Sequence, residues 1–486
     1  MRKYFCGVFS LATLLALTPS YLHAETWSLD GQNYEMTVVK EEKLADGVMH
    51  KMLKLSGATQ LEVQVVELDM TNENVDFYTT HARAPKTVVD ANGQEVENVK
   101  YIKVDQDRQH CSTLSQQMEF VKEAGKTPVV GVNGDFFAAA YHCLGNQYSD
   151  GNIVRCDAST YPVWYMTTDR LFEMGNYPLV ATAKVTYSAY DNKVAEYPVS
   201  SINYERAANY LTIFTPQPGR TTGTNKWGGE CLAELIEGEV GMTGSCKFRV
   251  VEPCDMHDGG NSSLDKYYAI TGHGMGEQFL YGMNNRQEVA GAPKVVAGDI
   301  IEVTFSSTIP DSNIKEMIGG NPEILRDGAV LDTQNALNHL VNLEPRTSVG
   351  YTSDYSKAYL VVVDGRRPGE SEGCTSRQLA SIMKNVGAEN ALNLDGGGST
   401  TMLDARTNTL FNKPTDGFAQ GVMNQQRAVK NALWVVTNSN TGVEEAVIDA
   451  DAPVVYFNLM GAKVANPTTG VYVRTQGTKV EKVIIK

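Results

Sequence analysis

Positive charge is scarce in this chain. Its 486 residues include 42 Lys and Arg against 57 Asp and Glu, which gives a formal net charge of −15 at pH 7. An acidic chain without a basic, aromatic-studded patch is unsuited to nucleic acids or anionic membrane surfaces, so we expect neither as a partner. A small phosphate ligand remains open, because exposed charges are screened over about 8 Å at physiological salt and local arginines decide its binding.

Long hydrophobic runs are also missing. The longest at the N-terminus covers residues 8–16, follows the basic Arg2 and Lys3, and precedes a small residue, Ala24. It is too short to cross a bilayer, and the pattern predicts a secretory signal peptide over residues 1–24. We therefore expect an exported bacterial protein, periplasmic, cell-surface or extracellular, with no membrane span.

Cysteine is sparse, with seven residues left after the predicted signal peptide. Export favours disulfides, and close spacing predicts Cys143 with Cys156 and Cys246 with Cys254, while the odd number leaves at least one thiol unpaired. Cys254 and His257 lie near each other, but a second pair at zinc spacing is missing, which argues against zinc.

Alternation of apolar and polar residues dominates the chain and predicts mostly strands. We expect an α+β fold: a mixed β-sheet domain with few helices over residues 111–437, a β-rich N-terminal region over 25–110 and a small C-terminal β-module over 443–486. Residues 138–161 and 219–229 resemble loops that shape specificity, the first as a lid. Two predicted helices end at Gly125 and Gly387, and the second begins after the N-cap Thr375. Their apolar stripes are Leu114, Met118 and Val121 in the first and Leu379, Ile382, Met383 and Val386 in the second.

The most informative stretch is residues 391–402, where an apolar run carrying Asn393 and Asp395 breaks on Gly396, Gly397 and Gly398. Strand, tight bend and strand are predicted, with Asn393 and Asp395 on one face. Glycines permit unusual backbone angles and can present N–H groups to an anion. The stretch therefore offers a carboxylate and an oxyanion cradle, without the Lys-Ser/Thr of a P-loop or the spacing of a dinucleotide site.

Other strands end in similar polar residues. An apolar strand over residues 128–132 runs into Asn133 and Asp135, and another ends at Asp364. Arg427 and Asn431 share a strand face by their spacing. These residues become candidates for one pocket.

Taken in order, residues 128–137, 319–328, 346–350, 391–402 and 427–433 resemble the phosphodiester glycosidase family, over roughly residues 128–436. The resemblance implies a hydrolase that cleaves the glycosidic bond of a sugar 1-phosphodiester, such as an N-acetylglucosamine 1-phosphate diester. The products are a free sugar and a phosphomonoester. Asp395 and Asp135 fall in the shared motifs.

This chemistry needs few groups, because a phosphomonoester, with a second pKa of about 6, is a good leaving group. We predict Asp395 as base or nucleophile and Asp135 in the complementary role. Arg346 and Arg427 are candidate phosphate clamps, or structural ion pairs. The remaining predicted substrate-binding residues are Asn133, Thr347, Asp364, Asn393, Gly396, Gly397, Gly398, Ser399 and Asn431.

Alternatives remain open at this stage. No cofactor is required, although the carboxylate and amide oxygens are ligands that Ca²⁺ or Mg²⁺ prefer. A phosphodiesterase that breaks the P–O bond, or a glycan-binding envelope protein without activity, would use similar residues. Glu323 is a weak catalytic candidate, and His257 and His273 are more simply surface histidines.

Overall fold

The computed structural model describes residues 25–438 and 454–485, with short gaps inside both ranges. The predicted signal peptide and His257 lie outside the described residues. The gaps are residues 99, 102, 139–141, 256–261, 285–286, 333–337, 418–421, 423, 458–462, 465–466 and 477–478.

Strands make up most of the described chain, and its α-helices number three: Leu114–Glu123, Met275–Tyr281 and Ser376–Val386. The β-rich prediction is therefore confirmed. Short 3-10 helices cover Val104–Gln109, Asn338–Val341 and Gly397–Ser399. None of the helices described is both long and apolar enough to span a membrane.

The first large sheet has nine strands, which come from residues 25–69 and from residues 323–393. All neighbouring strands in it are antiparallel. In spatial order they are Glu25–Leu29, Gln32–Ala45, Val48–Ser56, Gln60–Asp69, Lys357–Val363, Arg346–Tyr351, Asn390–Asn393, Glu323–Arg326 and Ala329–Val330.

A five-stranded antiparallel sheet lies against it, in the order Thr409–Leu410, Met402–Asp404, Thr127–Asn133, Asn431–Thr437 and Val75–His81. Apolar side chains from both sheets form one buried cluster between them. In the strand Lys357–Val363, Leu360 and Val362 point into this cluster, whereas Val361 and Val363 belong to the cluster on the opposite face of the sheet. Alternate residues of a strand point to opposite faces, so each sheet can pack on both sides.

Helices cover the outer faces of both sheets. Ser376–Val386 packs Leu379, Ile382 and Met383 on the nine-stranded sheet, and Leu114–Glu123 packs Leu114, Met118 and Val121 on the five-stranded one. The result is a four-layer arrangement of helix, sheet, sheet and helix. Both predicted helices and their apolar stripes are confirmed.

Helix ends agree with the sequence signals as well. Thr375 accepts a hydrogen bond from the Gln378 N–H in a capping box, and Gly387 adopts a left-handed conformation with φ of 109° at the C-terminus. The helix Met275–Tyr281 was not predicted, because it has only seven residues between Gly274 and Gly282.

A twelve-stranded sheet holds most of the middle of the chain. Among its described strands, Lys193–Ile202 and Leu211–Phe214 pair in parallel, so this sheet has the mixed pairing that was predicted. Residues 138–161 were expected to be a loop, but they contain the strands Gln147–Ser149 and Asn152–Asp157. The order is Phe172–Gly175, Val163–Thr167, Ile314–Gly319, Gln147–Ser149, Asn152–Asp157, Lys193–Ile202, Ala181–Tyr187, Ile300–Ser306, Thr243–Asp255, Gly229–Gly238, Tyr268–Gly272 and Leu211–Phe214.

Three small sheets complete the described strands. Thr87–Val89 pairs with Glu95–Glu97, and Met283–Asn284 pairs with Gln287–Glu288. After residue 453, four strands form a sheet in the order Lys463–Val464, Val454–Phe457, Gly470–Gln476 and Lys479–Ile485.

The predicted disulfides are wrong: Cys143, Cys156 and Cys246 are free thiols. Cys246 and Cys254 lie eight positions apart on the strand Thr243–Asp255, which separates them by about 26 Å, far beyond the ~7 Å limit between bridged Cα atoms. Arg155 donates a hydrogen bond to the Cys143 carbonyl. Cys156 follows Arg155 on the same strand and therefore points to the opposite face of the sheet. There Cys156 packs in the core of the twelve-stranded sheet, away from Cys143.

Candidate active site

The glycine-containing bend connects the two sheets of the sandwich. The strand Asn390–Asn393 belongs to the nine-stranded sheet, the 3-10 turn Gly397–Ser399 follows, and the strand Met402–Asp404 belongs to the five-stranded sheet. Strand, bend and strand were predicted correctly. The bend is a crossover between layers, and it places Asp395 where the two sheets meet.

Asn133 fixes this crossover from the neighbouring strand. Its Nδ2 donates to the Asp395 carbonyl at 2.7 Å, and its Oδ1 accepts from the Thr347 hydroxyl at 2.8 Å and from the Thr401 N–H at 3.1 Å. Asn133 and Thr347 are both fully buried. These two predicted substrate-binding residues therefore position the Asp395 backbone.

Asp395 itself is partly exposed. Its Oδ1 accepts the Gly396 N–H at 2.8 Å, and its carboxyl also accepts a hydrogen bond from the Ser399 side chain. Burial raises the pKa of Asp395 to about 6, although the bonds from Ser399 and Gly396 and the charge of Arg427 act in the opposite direction. A carboxylate in this state is suited to accept a proton near neutral pH.

Arg427 adjoins this carboxylate. Its Nη1 donates to the Ser399 Oγ at 3.2 Å, and its Nε donates to Asp416 Oδ1 at 2.8 Å. A Cβ added to Gly398 would lie 2.3 Å from Arg427 Nη2. The Arg427 guanidinium therefore packs directly against the Gly398 backbone, and the Arg427 side chain is 39% exposed.

Asp135 lies beneath the surface, at 1% exposure. Its Oδ2 accepts the Gly145 N–H at 2.6 Å, while its own N–H donates to the Oδ1 of Asn431 at 2.8 Å. Its Oδ1 accepts no hydrogen bond from any residue that the structure describes. Burial raises the pKa of Asp135 to about 7, and the nearby Asp395 charge adds to the increase.

Asn393 and Asp364 also contact the protein itself. Asn393 is fully buried and donates to the Asn321 carbonyl at 2.7 Å. Asp364 accepts from Asn412 Nδ2 and the Lys413 N–H, both at 3.0 Å, and burial raises its pKa to about 6. Both residues support the segments around the bend.

Arg346 is a buried side chain, at 3% exposure. Its Nε donates to the Cys374 carbonyl at 3.1 Å and its Nη2 to the Asn342 carbonyl at 3.0 Å. Burial lowers its pKa. These contacts hold backbone segments together, so the geometry does not place Arg346 as a phosphate clamp.

The glycines do not form the expected cradle with all their N–H groups. The Gly396 N–H is bonded to Asp395 and the Gly397 N–H to the Pro345 carbonyl at 2.9 Å. Their missing side chains matter more, because they leave room for the arginines that lie on the bend.

Arg366 is a residue of this site that the sequence analysis did not select. Its Nη2 would lie 3.0 Å from a Cβ on Gly397, and its Nε donates to Glu344 Oε2 at 2.6 Å. The available signal was its place directly after a strand ending in Asp364 and Gly365. Strand ends carry the other candidates too.

Among the described residues, no group of three or more His, Cys, Asp or Glu side chains is placed to hold a metal ion. A role for Ca²⁺ or Mg²⁺ stays a prediction for the chelator experiment below.

The fold and site define a two-sheet sandwich with a carboxylate and guanidinium groups at its crossover. Residues 258–436 match the model of the phosphodiester glycosidase family, which confirms the predicted resemblance. The matched segment contains Asp395, Arg427 and Arg366, whereas Asn133 and Asp135 precede it. No curated protein matches the sequence significantly.

Solved structures share the fold at low identity. A hypothetical protein from Synechocystis aligns with a TM-score of 0.54 at 15% identity, over 82% of this chain and 64% of its own length. This chain therefore spans less than two thirds of that protein. An exported-protein candidate from Burkholderia pseudomallei aligns with a TM-score of 0.52 at 14% identity, over 87% of this chain and 100% of its own.

A third structure is the catalytic domain of zebrafish N-acetylglucosamine-1-phosphodiester alpha-N-acetylglucosaminidase, auto-inhibited by its pro-peptide. It aligns with a TM-score of 0.40 at 13% identity, over 86% of this chain and 95% of that domain. This score is too low to establish a common fold.

Proposed function

We propose that this protein is a hydrolase that cleaves the anomeric C–O bond of a sugar 1-phosphodiester. The supporting observation is the connected set of Asp395, Ser399 and Arg427, in which a partly exposed carboxylate adjoins a partly exposed guanidinium. The match of residues 258–436 to the phosphodiester glycosidase family supports the same chemistry.

In the proposed reaction Arg427 binds the phosphate, because a guanidinium pairs with phosphate oxygens through charge-assisted hydrogen bonds. Asp395, ionised above pH about 6, activates water or attacks the anomeric carbon. The phosphomonoester leaves without needing a strong acid.

Asp135 has the complementary role in this proposal. Burial raises its pKa to about 7, with a smaller contribution from the Asp395 charge, so between about pH 6 and pH 7 Asp135 is mostly protonated while Asp395 is mostly ionised. At 1% exposure, Asp135 acts in this proposal from beneath the surface, whereas Asp395 is the carboxylate that meets water or the anomeric carbon.

The proposed substrate class is an N-acetylglucosamine 1-phosphate diester or a related glycan phosphodiester outside the cell. Export is supported by the signal-peptide pattern of residues 1–24. The name of the Burkholderia pseudomallei protein also refers to export.

The test measures free reducing sugar released from a small α-N-acetylglucosaminyl phosphodiester, with and without chelator. We expect turnover by the wild type and none by Asp395→Asn. Hydrolysis in ¹⁸O-water then locates the cleavage: label in the sugar supports C–O cleavage, and label in the phosphate contradicts it in favour of a phosphodiesterase. Binding across a panel of sugar phosphodiesters without turnover would instead favour a glycan-binding protein.

A further inference from the structure

We propose that Arg366 and Arg427 form one anion site above the Gly397–Gly398 peptide, which holds the two non-bridging oxygens of a phosphodiester. The inference deepens the proposed function and rests on it for the identity of the anion. It assigns Arg366 the clamp role that the sequence suggested for Arg346.

The two guanidiniums lie on consecutive glycines. A Cβ on Gly397 would be 3.0 Å from Arg366 Nη2, and a Cβ on Gly398 would be 2.3 Å from Arg427 Nη2. The Cα atoms of neighbouring residues are ~3.8 Å apart. Two cationic groups therefore approach the same short stretch of backbone, immediately after Asp395.

Both arginines are held in the same way. The Nε of Arg366 donates to Glu344 at 2.6 Å, and the Nε of Arg427 donates to Asp416 at 2.8 Å. Each ion pair fixes one edge of a planar guanidinium and directs its Nη2 towards the glycines. The side chains remain 40% and 39% exposed, so a ligand in solvent can reach them.

Arg366 also has an unusual backbone. Its φ of 57° lies in the left-handed region, which costs a non-glycine residue of order 1 kcal/mol and is more common at functional sites.

A phosphodiester matches this geometry because it has one negative charge and two equivalent non-bridging oxygens. Guanidinium groups present planar sets of N–H donors that suit such oxygens. With one arginine on each side, the phosphorus is held next to Asp395. Arg346, at 3% exposure and bonded to carbonyl groups, is unsuited to this task.

The experiment is calorimetric titration of the full chain with diethyl phosphate, a diester without a sugar, and with inorganic phosphate. We expect Arg366→Gln and Arg427→Gln each to weaken diethyl phosphate binding about tenfold or more, since each loses a charge-assisted contact. Arg377→Gln is the matched control, because Arg377 forms a similar pair with Asp30 on a helix surface. It should bind as the wild type does.

Arg366→Lys keeps the positive charge but removes the planar set of guanidinium N–H donors. We expect this variant to bind diethyl phosphate several-fold more weakly than the wild type, and a thermal unfolding curve will show that it is folded. The inference is overturned if wild-type protein binds no diethyl phosphate, or if Arg366→Gln and Arg366→Lys both bind it within twofold of the wild type. Equal weakening in Arg377→Gln would also overturn it, because it indicates a general charge effect.

Titration does not depend on turnover, so the two proposals can fail separately. Arginine-dependent binding without sugar release supports the anion site and contradicts the proposed hydrolase. Sugar release with unchanged kcat and KM in Arg366→Gln supports the hydrolase and overturns the role of Arg366.

Discussion

Single carboxyl groups decide the chemistry proposed for this site. Asp395 and Asp135 have pKa values raised to about 6 and about 7 by burial, and only Asp395 is partly exposed. Carboxyl groups whose pKa values are raised by burial are a recurring feature of acid–base sites.

The pH dependence follows from Asp395. Because its protonated form cannot act as base or nucleophile, we expect kcat/KM to fall about tenfold per pH unit below pH 6. Asp395→Asn should lose at least about a hundredfold in kcat at pH 7 and unfold at nearly the wild-type temperature. Asp90→Asn, at an exposed turn, is the control that should keep full activity. Activity undiminished at pH 4.5 would contradict this role.

Asp135 makes a separate prediction about stability. Its folded pKa is raised from 3.8 to about 7, so its favourable contribution is complete below pH about 4 and is lost as the pH rises towards 7. Asp135→Asn should therefore be more stable than the wild type at pH 8, by about 1 to 3 kcal/mol. The difference should shrink at pH 4. Thermal melts at both values test this, and an equal difference at each pH would argue against a buried charge.

At the scale of secondary-structure elements, the close packing around Gly398 in the glycine bend can be tested by substitution. Gly398 has no room for a side chain, because a Cβ would lie 2.3 Å from Arg427 Nη2 and 2.8 Å from Asp416 Oδ1. We expect Gly398→Ala to displace the guanidinium and lower kcat/KM by about tenfold. Gly241→Ala is the matched control, since its nearest contact would be an ordinary 3.7 Å. Equal kinetics in both variants would contradict the close packing of Arg427.

The cap of the helix Ser376–Val386 provides a second prediction at this scale. Thr375 accepts the Gln378 N–H within a capping box, so Thr375→Ala should lower the free energy of unfolding by about 1 kcal/mol. Thr375→Ser keeps the hydroxyl and should restore most of it. Urea denaturation measures both, and no difference between the two variants would exclude the cap as the cause.

For the whole molecule, stability depends on packed sheets. Cys111, Cys143, Cys156, Cys231, Cys246 and Cys374 are free in the described structure. We expect the midpoint of thermal unfolding to change by less than about 2 °C on addition of reductant, since a structural disulfide would contribute about 2 to 4 kcal/mol. A large decrease would contradict the free thiols of these six cysteines.

Sequence alone determined the parts of this protein that depend on local chemistry. Helix boundaries followed from Thr375 and Gly387, apolar stripes followed from residues such as Leu114 and Met118, and the bend followed from three glycines. The resemblance to phosphodiester glycosidases was visible too, because it depends on short motifs in order. Local rules suffice for these features, since each is set by neighbours within a few residues.

Only the tertiary structure decided which polar residues are exposed at the bend and which are buried. Arg346 and Arg427 looked equivalent in the sequence, yet Arg346 is buried and bonded to carbonyl groups. Arg366 and Arg427 are partly exposed, each beside a glycine of the bend. The predicted disulfides were wrong for a similar reason, because nearness in sequence does not bring two residues together in space. Cys246 and Cys254 are eight positions apart along one extended strand, and Cys156 points to the face of the sheet opposite Arg155 and the Cys143 carbonyl. Burial and hydrogen-bond partners come from segments far apart in the chain, and no local pattern specifies them.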